Sequence, residues 1–444
     1  MSNRPRARLN TIVATSAPAA PPAGGSVNMR IMRVYLVGGA VRDRLLGLPV
    51  RERDWVVVGA TPEQLVRLGY APVGREFPVF LHPTTHEEYA LARQERKVGP
   101  GYRGFTTQFA PTVTLEEDLR RRDLTINAMA EDESGSLIDP YGGQADLQAR
   151  RLRHVSEAFI EDPVRILRVA RFAARFAPLG FQVADETLAL MRRITDSGEA
   201  RTLVPERVWQ ETERALAEAH PQVFFETLRA CGALAVIFPE IAALSGVPQP
   251  PRWHPEIDTG VHVMLALQYA AGRGASGAVR FAALTHDLGK AQTPKADWPS
   301  HHGHEEFGVP LINELCDRLK VPNTHRELAI LAARDHTRVH RALELRPATV
   351  LTLLESCDAF RRAERFAELL LACEADARGR TGRENAPYPQ VGYLKQALTT
   401  AAGVTLSENE RRGMEGAEIG EELRRRRLAA ITTLKAGATN TPVA

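Results

Sequence analysis

The sequence predicts an α+β protein in which a small α/β head is followed by a longer region that is almost entirely helical. In the head, residues 32–150, short apolar strands are separated by turns and by one or two helices; the clearest strands are Val34–Val37, Trp55–Val58 and Glu88–Ala92. After about residue 155 the apolar residues recur at helical spacing, and prolines mark the breaks between helices. Strands gathered at one end of a chain and helices at the other favour an α+β arrangement.

The composition is that of an ordinary soluble protein of several domains. The 444 residues carry a formal net charge of only +3, so no global positive field indicates nucleic-acid binding. At about 150 residues per domain, the length suggests roughly three domains. The four cysteines form no Cys-x-x-Cys pair, and we expect buried thiols in a reducing, cytoplasmic compartment. No apolar run approaches the roughly 20 residues of a membrane-spanning helix.

Residues 1–31 have a distinct composition, rich in alanine, proline, glycine and arginine, and the first acidic residue of the chain is Asp43. We expect a disordered extension, or a start codon assigned too early, because Met29 and Met32 both precede the first strand. A transit peptide is the alternative. This segment is left out of the predicted fold.

Two neighbouring motifs in the head predict phosphoryl chemistry. The run 36–43 ends a strand in a double glycine and opens a helix, whose N-terminal amides suit a triphosphate. Glu52 and Asp54 stand two residues apart beside an apolar strand, and such residues share a face with Cα atoms about 6.6 Å apart. Carboxylates this close can hold the paired divalent ions used for in-line attack on phosphorus. A tight turn and a solvated strand edge would explain each motif separately, but their closeness favours one site.

A helix rich in arginine is predicted to begin near residue 162. Asp162 suits the positive end of the helix dipole, and Pro163 is tolerated near a helix start. Four arginines then fall within an arc of roughly 120°: Arg165, Arg168, Arg171 and Arg175. One interpretation is an amphipathic helix with a solvated basic face.

A second interpretation is that Asp162 and Arg165 choose a nucleotide base. A carboxylate only accepts hydrogen bonds, and a guanidinium only donates them. Cytosine and adenine both present an amine donor beside a ring-nitrogen acceptor, whereas uracil and guanine present a carbonyl beside an N–H. An acid and an arginine three residues apart could therefore accept C and A and refuse U and G, at about 1–3 kcal/mol for each good bidentate match.

A second set of candidate residues lies in the helical region. It contains an adjacent His-Asp pair flanked by other histidines: His262, His286 with Asp287, then His301, His302 and His304, and finally His336. A single helical histidine is usually structural, but this combination is rarer, and imidazoles with carboxylates suit nickel, manganese, iron or zinc. Asp376 is the candidate for a closing carboxylate. Which of the three crowded histidines points inward is left open.

With these motifs in this order, the sequence resembles the class II CCA-adding tRNA nucleotidyltransferases, and more closely the bacterial multifunctional CCA proteins, which carry a fused HD phosphohydrolase domain. The resemblance covers residues 32 to about 430 and implies a polymerase-β-like nucleotidyltransferase head followed by an all-α neck, body and HD domain. The expected limits are a head over 32–150, a neck with nucleotide-selecting and RNA-binding helices over 151–245, a linker at 247–258, an HD domain over 259–360 and a helical tail over 361–444.

The resemblance also implies residue roles. Nucleotide binding is implied for Gly39, Arg42, Arg122, Asp162, Arg165, Arg168 and Arg171. Catalysis with Mg²⁺ is implied for Glu52 and Asp54, and a metal-dependent HD site for His262, His286, Asp287 and His336, with His286 and Asp287 catalytic. Related enzymes carry Asp where this chain has Glu52, so we expect activity to be retained with a shifted metal site. Glu88 is a candidate for a third carboxylate.

The predicted function is the addition of C, C and A to the 3′ end of tRNA from CTP and ATP without a nucleic-acid template. The HD site, with Ni²⁺ or another transition metal, is expected to repair tRNA ends as a phosphatase, 2′,3′-cyclic phosphodiesterase and 2′-nucleotidase. The expected partners are tRNA, ATP and CTP, with no membrane, and the chain is expected to act as a monomer or a homodimer. One alternative is a poly(A) polymerase of the same superfamily; another is a degenerate RNA-binding head beside an HD domain that is the sole enzyme. A structural RNA chaperone would leave both metal constellations unexplained.

Overall fold

The computed structural model describes residues 32–73, 79–97 and 105–439. The expectation for residues 1–31 therefore concerns a segment outside the described residues. The described chain divides into two compact units, called here the head unit and the helical unit. The head unit contains residues 32–73, 79–94, 107–119 and 130–138, and the helical unit contains the remainder.

The strands are short and concentrated in the head unit. Their bounds are β1 Arg33–Val37, β2 Asp54–Val58, β3 Ala71–Val73, β4 Val79–Leu81, β5 Glu88–Leu91, β6 Arg93–Lys97, β7 Phe105–Phe109, β8 Ala130–Glu131, β9 Leu137–Ile138, β10 Arg151–Leu152 and β11 Gln182–Val183. Within the described residues, seven of them form one mixed sheet in the order β3-β4-β5-β2-β1-β8-β9. Only β2 and β5 pair in parallel within that sheet, and its other neighbours pair antiparallel.

One face of this sheet builds the core of the head unit. Val57, Leu65, Phe80 and Leu91 are each at most 2% exposed and pack in one cluster. At its edge the ring of Trp55 stacks on that of Tyr89, with centroids 5.5 Å apart. The three strands that the sequence indicated most clearly are confirmed within one residue, because alternating or continuous apolar runs bounded by polar residues specify a strand locally.

Helices make up most of the rest of the described chain. Their bounds are α1 Gly39–Leu45, α2 Pro62–Arg67, α3 Leu115–Arg120, α4 Gly143–Ala149, α5 Val164–Phe176, α6 Asp185–Asp196, α7 Pro205–Leu216, α8 Gln222–Ala230, α9 Ala233–Ile237, α10 Pro239–Ala242, α11 Thr259–Gly272, α12 Gly277–Thr285, α13 His304–Leu319, α14 Asn323–His340, α15 Pro347–Ser356, α16 Ala363–Arg378, α17 Gln390–Ala402, α18 Glu408–Arg411 and α19 Gly416–Thr439. Short 3₁₀ turns lie between them, including Thr125–Asn127, Glu157–Glu161 and Leu288–Gln292.

Two packing arrangements in the helical unit position its candidate residues. Helix α5 packs against α7 and α8, and α12 packs against α11, α14 and α16. The cores between them combine aromatic rings such as Phe176 and Phe224 with alanines such as Ala282 and Ala333, all at most 1% exposed. Small residues let helix backbones approach closely, which brings residues from distant parts of the sequence together. Within the described residues, no helix combines the length and the apolar character required to cross a bilayer.

Residues 247–258 differ from the expected linker. Val247, Gln249 and His254 are buried, and Pro248 bridges to Asp258 at the start of α11. The segment is thus anchored against the helix that follows it.

The turn after the His-Asp pair makes a very close backbone contact. A Cβ atom placed on Gly289 would overlap the carbonyl oxygen of His304 and lie 2.6 Å from the amide nitrogen of Gly308. The 3₁₀ turn Leu288–Gln292 can therefore lie against α13 only because residue 289 has no side chain. This contact sets how closely the start of α13 approaches Asp287.

We predict that Gly289→Ala destabilises the protein by about 1–3 kcal/mol, because overpacking forces the turn and α13 apart. Thermal unfolding of the purified protein measures the effect. The matched control is Gly272→Ala at the end of α11, where a Cβ atom meets nothing within 4 Å. An unchanged melting temperature for Gly289→Ala would contradict the close contact.

Candidate active sites

The double glycine of the head unit forms the predicted turn. Gly38 adopts φ 69° and ψ −123°, a conformation open to glycine, and α1 begins at Gly39. Arg42, in the middle of α1, is only 3% exposed and its Nε donates to Oδ1 of Asp43 at 2.8 Å. Nothing in the sequence pattern indicated that this arginine would be buried and paired with its neighbour.

The carboxylates of the head unit lie at the start of β2. Asp54 is the first residue of this strand, and Glu52 lies two residues before it. Both side chains are exposed. Glu88, the first residue of β5, is the direct partner of Asp54 in the parallel pairing of β2 and β5. Because paired residues on neighbouring strands lie about 5 Å apart and share a face, Glu88 stands beside Asp54.

Asp162 and Arg165 flank the start of α5. The helix begins at Val164, so Asp162 precedes it, and its Oδ1 accepts from the amide of Val164 at 3.0 Å. Arg165 is 7% exposed, and its guanidinium donates to two backbone carbonyls, those of Ala158 and Arg121. These two bonds fix the plane of the guanidinium, which is the geometry that a bidentate reader of bases needs.

The next arginines of α5 are held by carboxylates. Arg168 donates from Nε to Oδ2 of Asp123 at 2.7 Å, and Nε of Arg171 is paired with Oε2 of Glu211. Arg171 is 8% exposed. The interpretation of α5 as a helix with a solvated basic face is therefore wrong for Arg165 and Arg171. The sequence could not identify Glu211 as a partner, because it lies 40 residues away on α7.

Asp123 anchors the loop that carries Arg122. It is 5% exposed and accepts from Nδ2 of Asn127 at 2.9 Å as well as from Arg168. Burial by itself raises the pKa of Asp123, but Arg168 and Asn127 outweigh it and hold the pKa well below its usual range. Nη1 of Arg122 lies 3.4 Å from the carbonyl oxygen of Asn127. The predicted nucleotide-binding residues of the helical unit are thus fixed by neighbouring charges and backbone groups.

The predicted His-Asp constellation is assembled in the helical unit. Asp287 lies at its centre, 1% exposed, with groups on both of its oxygens. Near Oδ2 are Nε2 of His286 at 3.2 Å and Nε2 of His262 at 3.9 Å. Near Oδ1 are Nε2 of His304 at 3.5 Å and Nε2 of His336 at 3.6 Å. Asp376 completes the first side, with Oδ1 3.1 Å from Nε2 of His262.

The structure shows which of His301, His302 and His304 points toward the other histidines. Nε2 of His304 faces Nε2 of His336 at 3.1 Å. His301 instead points to the carbonyl of Pro248, at 2.7 Å, and His302 is exposed. Sequence analysis could not separate the three, because His301 and His302 precede α13 and only His304 lies on that helix, as its first residue.

The partners of the imidazoles direct their lone pairs inward. Nδ1 of His286 lies 2.8 Å from the carbonyl of Ala283, and Nδ1 of His336 lies 2.9 Å from the carbonyl of Ala332. A carbonyl only accepts, so Nδ1 carries a proton in both rings, and in the neutral form of each ring the lone pair is on Nε2. Burial also holds the pKa of His336 well below its usual range, which favours the neutral ring. Neutral imidazoles presenting Nε2 are metal ligands.

The arrangement fits a divalent metal. Nε2 of His286 and Oδ1 of Asp287 are buried, and neither has a hydrogen-bond partner among the described residues. In addition, Nε2 of His304 and Nε2 of His336 face each other at 3.1 Å, a contact that a shared cation would stabilise. Two ligand groups suit an ion: His262, His286 and Asp376 form one, and Asp287, His304 and His336 form the other.

Several neighbours of this constellation were missed by the sequence analysis. Nζ of Lys290 donates to Oδ2 of Asp287 at 2.7 Å. Asp376 is approached by Nη2 of Arg380 at 2.6 Å and is paired with Nε2 of His340. Burial by itself raises the pKa of Asp287, but His286 and Lys290 outweigh it and hold the pKa well below its usual range. Lys290 follows the motif by one turn, and His340 follows His336 by one turn, which is the signal that would have found them.

The arginine cluster near the C-terminus has its own partners. Arg424 pairs with Glu355, Arg425 with Glu422, and Arg427 lies over the ring of Phe360. Arg424 and Arg425 are therefore ion-paired, and Arg427 makes a cation–π contact.

Three family models match the chain. The model described as "Poly A polymerase head domain" matches residues 34–153, and the one described as "HD domain" matches residues 260–378. Between them, "Probable RNA and SrmB- binding site of polymerase A" matches residues 180–244.

The chain is also similar to proteins of known name and structure. A "Multifunctional CCA protein" of Thioalkalivibrio sulfidiphilus is 65% identical over 405 residues, which are 91% of this chain and 99% of that protein. Another, of Nitrosococcus oceani, is 63% identical over 400 residues, 90% of this chain and 98% of that protein. The solved "Thermotoga maritima CCA-adding enzyme complexed with tRNA_CCA" has a TM-score of 0.61 at 20% identity, covering 91% of this chain and 88% of its own. That last likeness shows the fold alone.

Proposed function

Because this chain belongs to the family of the multifunctional CCA proteins, we propose that it adds C, C and A to the 3′ end of tRNA from CTP and ATP without a nucleic-acid template. The observation that carries the proposal is that Arg165, three residues after Asp162 at the start of α5, has its guanidinium fixed by two backbone carbonyls. The partners of the reaction are tRNA, CTP and ATP, and the leaving group is pyrophosphate.

The head unit supplies the catalytic carboxylates in this proposal. Glu52 and Asp54 hold Mg²⁺, and Glu88 is the candidate for a third oxygen ligand. When bound, Mg²⁺ neutralises charge on the phosphates and lowers the pKa of the RNA 3′-hydroxyl. Gly39 gives the chain its close backbone approach to the triphosphate, and Arg42 supplies positive charge at α1. Exposed oxygen ligands suit Mg²⁺, which keeps several of its waters. Glu52 stands before β2, where a longer side chain has room to reach the ion.

The helical unit supplies the residues that choose and hold the nucleotide. Asp162 accepts from the exocyclic amine of cytosine or adenine, and Arg165 donates to the neighbouring ring nitrogen. Arg122, Arg168 and Arg171 bind the ribose and the triphosphate. Since these cations are already held by carboxylates and carbonyls, little side-chain entropy is lost when the nucleotide binds.

The His-Asp constellation supports a second activity, the hydrolysis of phosphates that block the 3′ end of tRNA. His262, His286, Asp287, His304, His336 and Asp376 hold Ni²⁺ or another divalent transition metal. When bound, such a metal polarises a phosphoryl group and lowers the pKa of water. The expected reactions are those of a phosphatase, a 2′,3′-cyclic phosphodiesterase and a 2′-nucleotidase, with His286 and Asp287 as the central residues.

Binding of tRNA is proposed to depend on shape and charge. Double-stranded RNA displays its 2′-hydroxyls in the shallow minor groove and its phosphates along the backbone. Side chains cannot read the base edges in the deep major groove. The neck, residues 151–245, is the proposed RNA-binding region, and affinity is expected to fall steeply with salt.

Varying the nucleotides offered to the protein distinguishes CCA addition from the activity of a poly(A) polymerase. Offered CTP alone with Mg²⁺, the protein should add two residues to tRNA that lacks its end and then stop. Adding ATP should extend the product by one residue, whereas UTP and GTP should not be incorporated. A poly(A) polymerase would instead build long A tracts from ATP alone. Gel separation of labelled products distinguishes the two, and a lack of any incorporation would leave the HD site as the sole enzyme.

A reciprocal pair of variants should separate the two activities. We expect Asp54→Asn to abolish nucleotide addition and to preserve hydrolysis of a 2′,3′-cyclic phosphate. His286→Ala combined with Asp287→Ala should do the reverse. Both activities are measured on the same preparations.

The controls for this pair lie close to the variants. Glu63→Gln changes an exposed acid on α2, and His302→Ala removes the exposed histidine of the His301–His304 turn. Both should behave as the unaltered protein. Loss of both activities in Asp54→Asn would contradict two independent sites.

Neutral substitutions of Asp162 and Arg165 should reduce the selectivity for C and A over U and G. In Asp162→Asn and Arg165→Gln each group can both donate and accept, so the preference for C and A over U and G should fall by about 5- to 150-fold, the equivalent of about 1–3 kcal/mol. Competitive incorporation of the four nucleotides measures the ratio.

The matched control is an exposed acid–guanidinium pair of the same unit. Glu157 and Arg193 lie 3.0 Å apart and are both largely exposed. Glu157→Gln and Arg193→Gln should leave nucleotide choice unchanged. An unaltered preference in Asp162→Asn and in Arg165→Gln would refute base selection by these side chains.

A further inference from the structure

An exposed aromatic residue stands beside the His-Asp constellation. Trp253 is 54% exposed, the largest value among the large hydrophobic residues of the described chain. Ile257 and Val261 are exposed as well, so three apolar side chains face solvent within one short stretch. This stretch ends next to His262, a proposed metal ligand. A cluster of exposed apolar residues beside a candidate site indicates a binding surface.

The backbone of Trp253 is tied to the constellation. Its carbonyl accepts from Nη1 of Arg380 at 3.2 Å, and Nη2 of the same guanidinium donates to Oδ1 of Asp376 at 2.6 Å. The next residue, His254, is buried, and the centroid of its ring lies 4.6 Å from that of His262. One guanidinium and one ring therefore separate Trp253 from two of the proposed metal ligands.

The chain turns sharply where it presents Trp253. The amide of Trp253 donates to the carbonyl of Pro250 at 3.0 Å, and the amide of Gln249 donates to the carbonyl of Ile257 at 2.7 Å. These bonds close residues 249–257 into a loop that carries Trp253. Ile257 adopts φ 61°, a rare conformation for a β-branched residue. Backbone strain of this kind persists only where surrounding bonds enforce it, and it is concentrated at binding and catalytic sites.

One face of the Trp253 ring is covered by a cation. The guanidinium carbon of Arg252 lies 4.8 Å from the ring centroid. Within the described chain no aromatic ring stacks on Trp253, and its large exposed fraction leaves the opposite face accessible. Accessible aromatic faces beside arginines bind single-stranded nucleic acids, because every base has a face that can stack. The ring of Trp253 is therefore suited to a nucleobase.

The charge beside Trp253 favours a nucleotide over an apolar peptide. Nη2 of Arg383 donates to the carbonyl of Arg252 at 3.5 Å, and both arginines are exposed. Neither of them forms an ion pair with another described residue. The acid that follows Arg383, Glu384, instead accepts from the amide of Gly382 at 3.1 Å. Exposed guanidiniums suit phosphates, so this surface is complementary to the backbone of RNA as well as to its bases.

We propose that Trp253 stacks on the terminal nucleobase of the RNA whose 3′ end is processed at the His-Asp constellation. This inference rests on the proposed hydrolysis of blocked tRNA ends and states how the HD site holds its substrate. One ribose separates a base from the 2′- and 3′-oxygens, so the base and the phosphate of one nucleotide can reach Trp253 and the constellation together. Trp253 precedes residue 260, where the match to the HD family model begins. The base subsite is thus an addition to the part of the chain that the model describes.

Two small substrates, one with a base and one without, test the proposal on the full-length protein loaded with Ni²⁺. The first is adenosine 2′,3′-cyclic phosphate, and the second is the 2′,3′-cyclic phosphate of methyl riboside, which has no base. Trp253→Ala should raise KM for the adenosine compound about 5- to 150-fold, the loss expected for one stacked base, and leave kcat nearly unchanged. Its hydrolysis of the baseless compound should equal that of the unaltered protein.

Two further variants complete the comparison. Trp253→Phe keeps an aromatic ring, so it should recover most of the affinity for the adenosine compound. Phe109→Ala is the matched control, because it removes another exposed aromatic ring, which belongs to the head unit. It should leave the hydrolysis of both compounds unchanged.

The possible results separate the two proposals. If the unaltered protein hydrolyses neither compound, the proposed HD function fails and the role of Trp253 fails with it. If Trp253→Ala hydrolyses the adenosine compound with an unchanged KM, only the role of Trp253 is overturned. An equal loss on both compounds would overturn it too, because the side chain would then support the constellation instead of binding the base. So would an unchanged KM with an altered oligomeric state in light scattering, since the surface would then bind a second copy of the chain.

Discussion

Several carboxylates of the helical unit lie in the protein interior, and the need to compensate their charge determines how both of its candidate sites are built. A buried charge without a partner costs several kcal/mol, so such a group persists only where cations or donors surround it. Asp123, Asp287 and Asp376 are at most 5% exposed. Each is matched by a cation: Arg168, 45 residues away, for Asp123, Lys290, three residues away, for Asp287, and Arg380, four residues away, for Asp376.

This compensation has a functional consequence that solvated charges would lack. In α5 the guanidiniums of Arg165 and Arg168 are fixed by carbonyls and by Asp123 before any nucleotide arrives. A ligand then meets donors whose direction is already set, so less of the binding energy is spent on ordering side chains. The same holds for the imidazoles around Asp287, whose tautomers are set by partners on the opposite ring nitrogen. Pairing inside the protein thus fixes the orientation of side chains that would be flexible in solvent.

The sequence was most informative where neighbours along the chain are also neighbours in space. The strands around Asp54, the helix that begins after Asp162 and the pair His286–Asp287 were all recognisable, because apolar spacing and short motifs are local. The partners that fix these residues were not recognisable. Glu211 lies 40 residues from Arg171, and Asp123 lies 45 residues from Arg168. Only tertiary packing brings such pairs together, and nothing in a single sequence marks one acidic residue rather than another as the partner.

The two constellations also differ in the metal that their ligand atoms suit. The head unit offers exposed carboxylate oxygens from Glu52, Asp54 and Glu88. Hard oxygen ligands with access to water match Mg²⁺, which gives up its hydration reluctantly. The His-Asp constellation offers buried imidazole nitrogens, and nitrogen ligands favour the later transition metals over Mg²⁺. Ligand type and burial therefore favour different ions at the two proposed sites, so the proposed nucleotide addition and end repair need not compete for a metal.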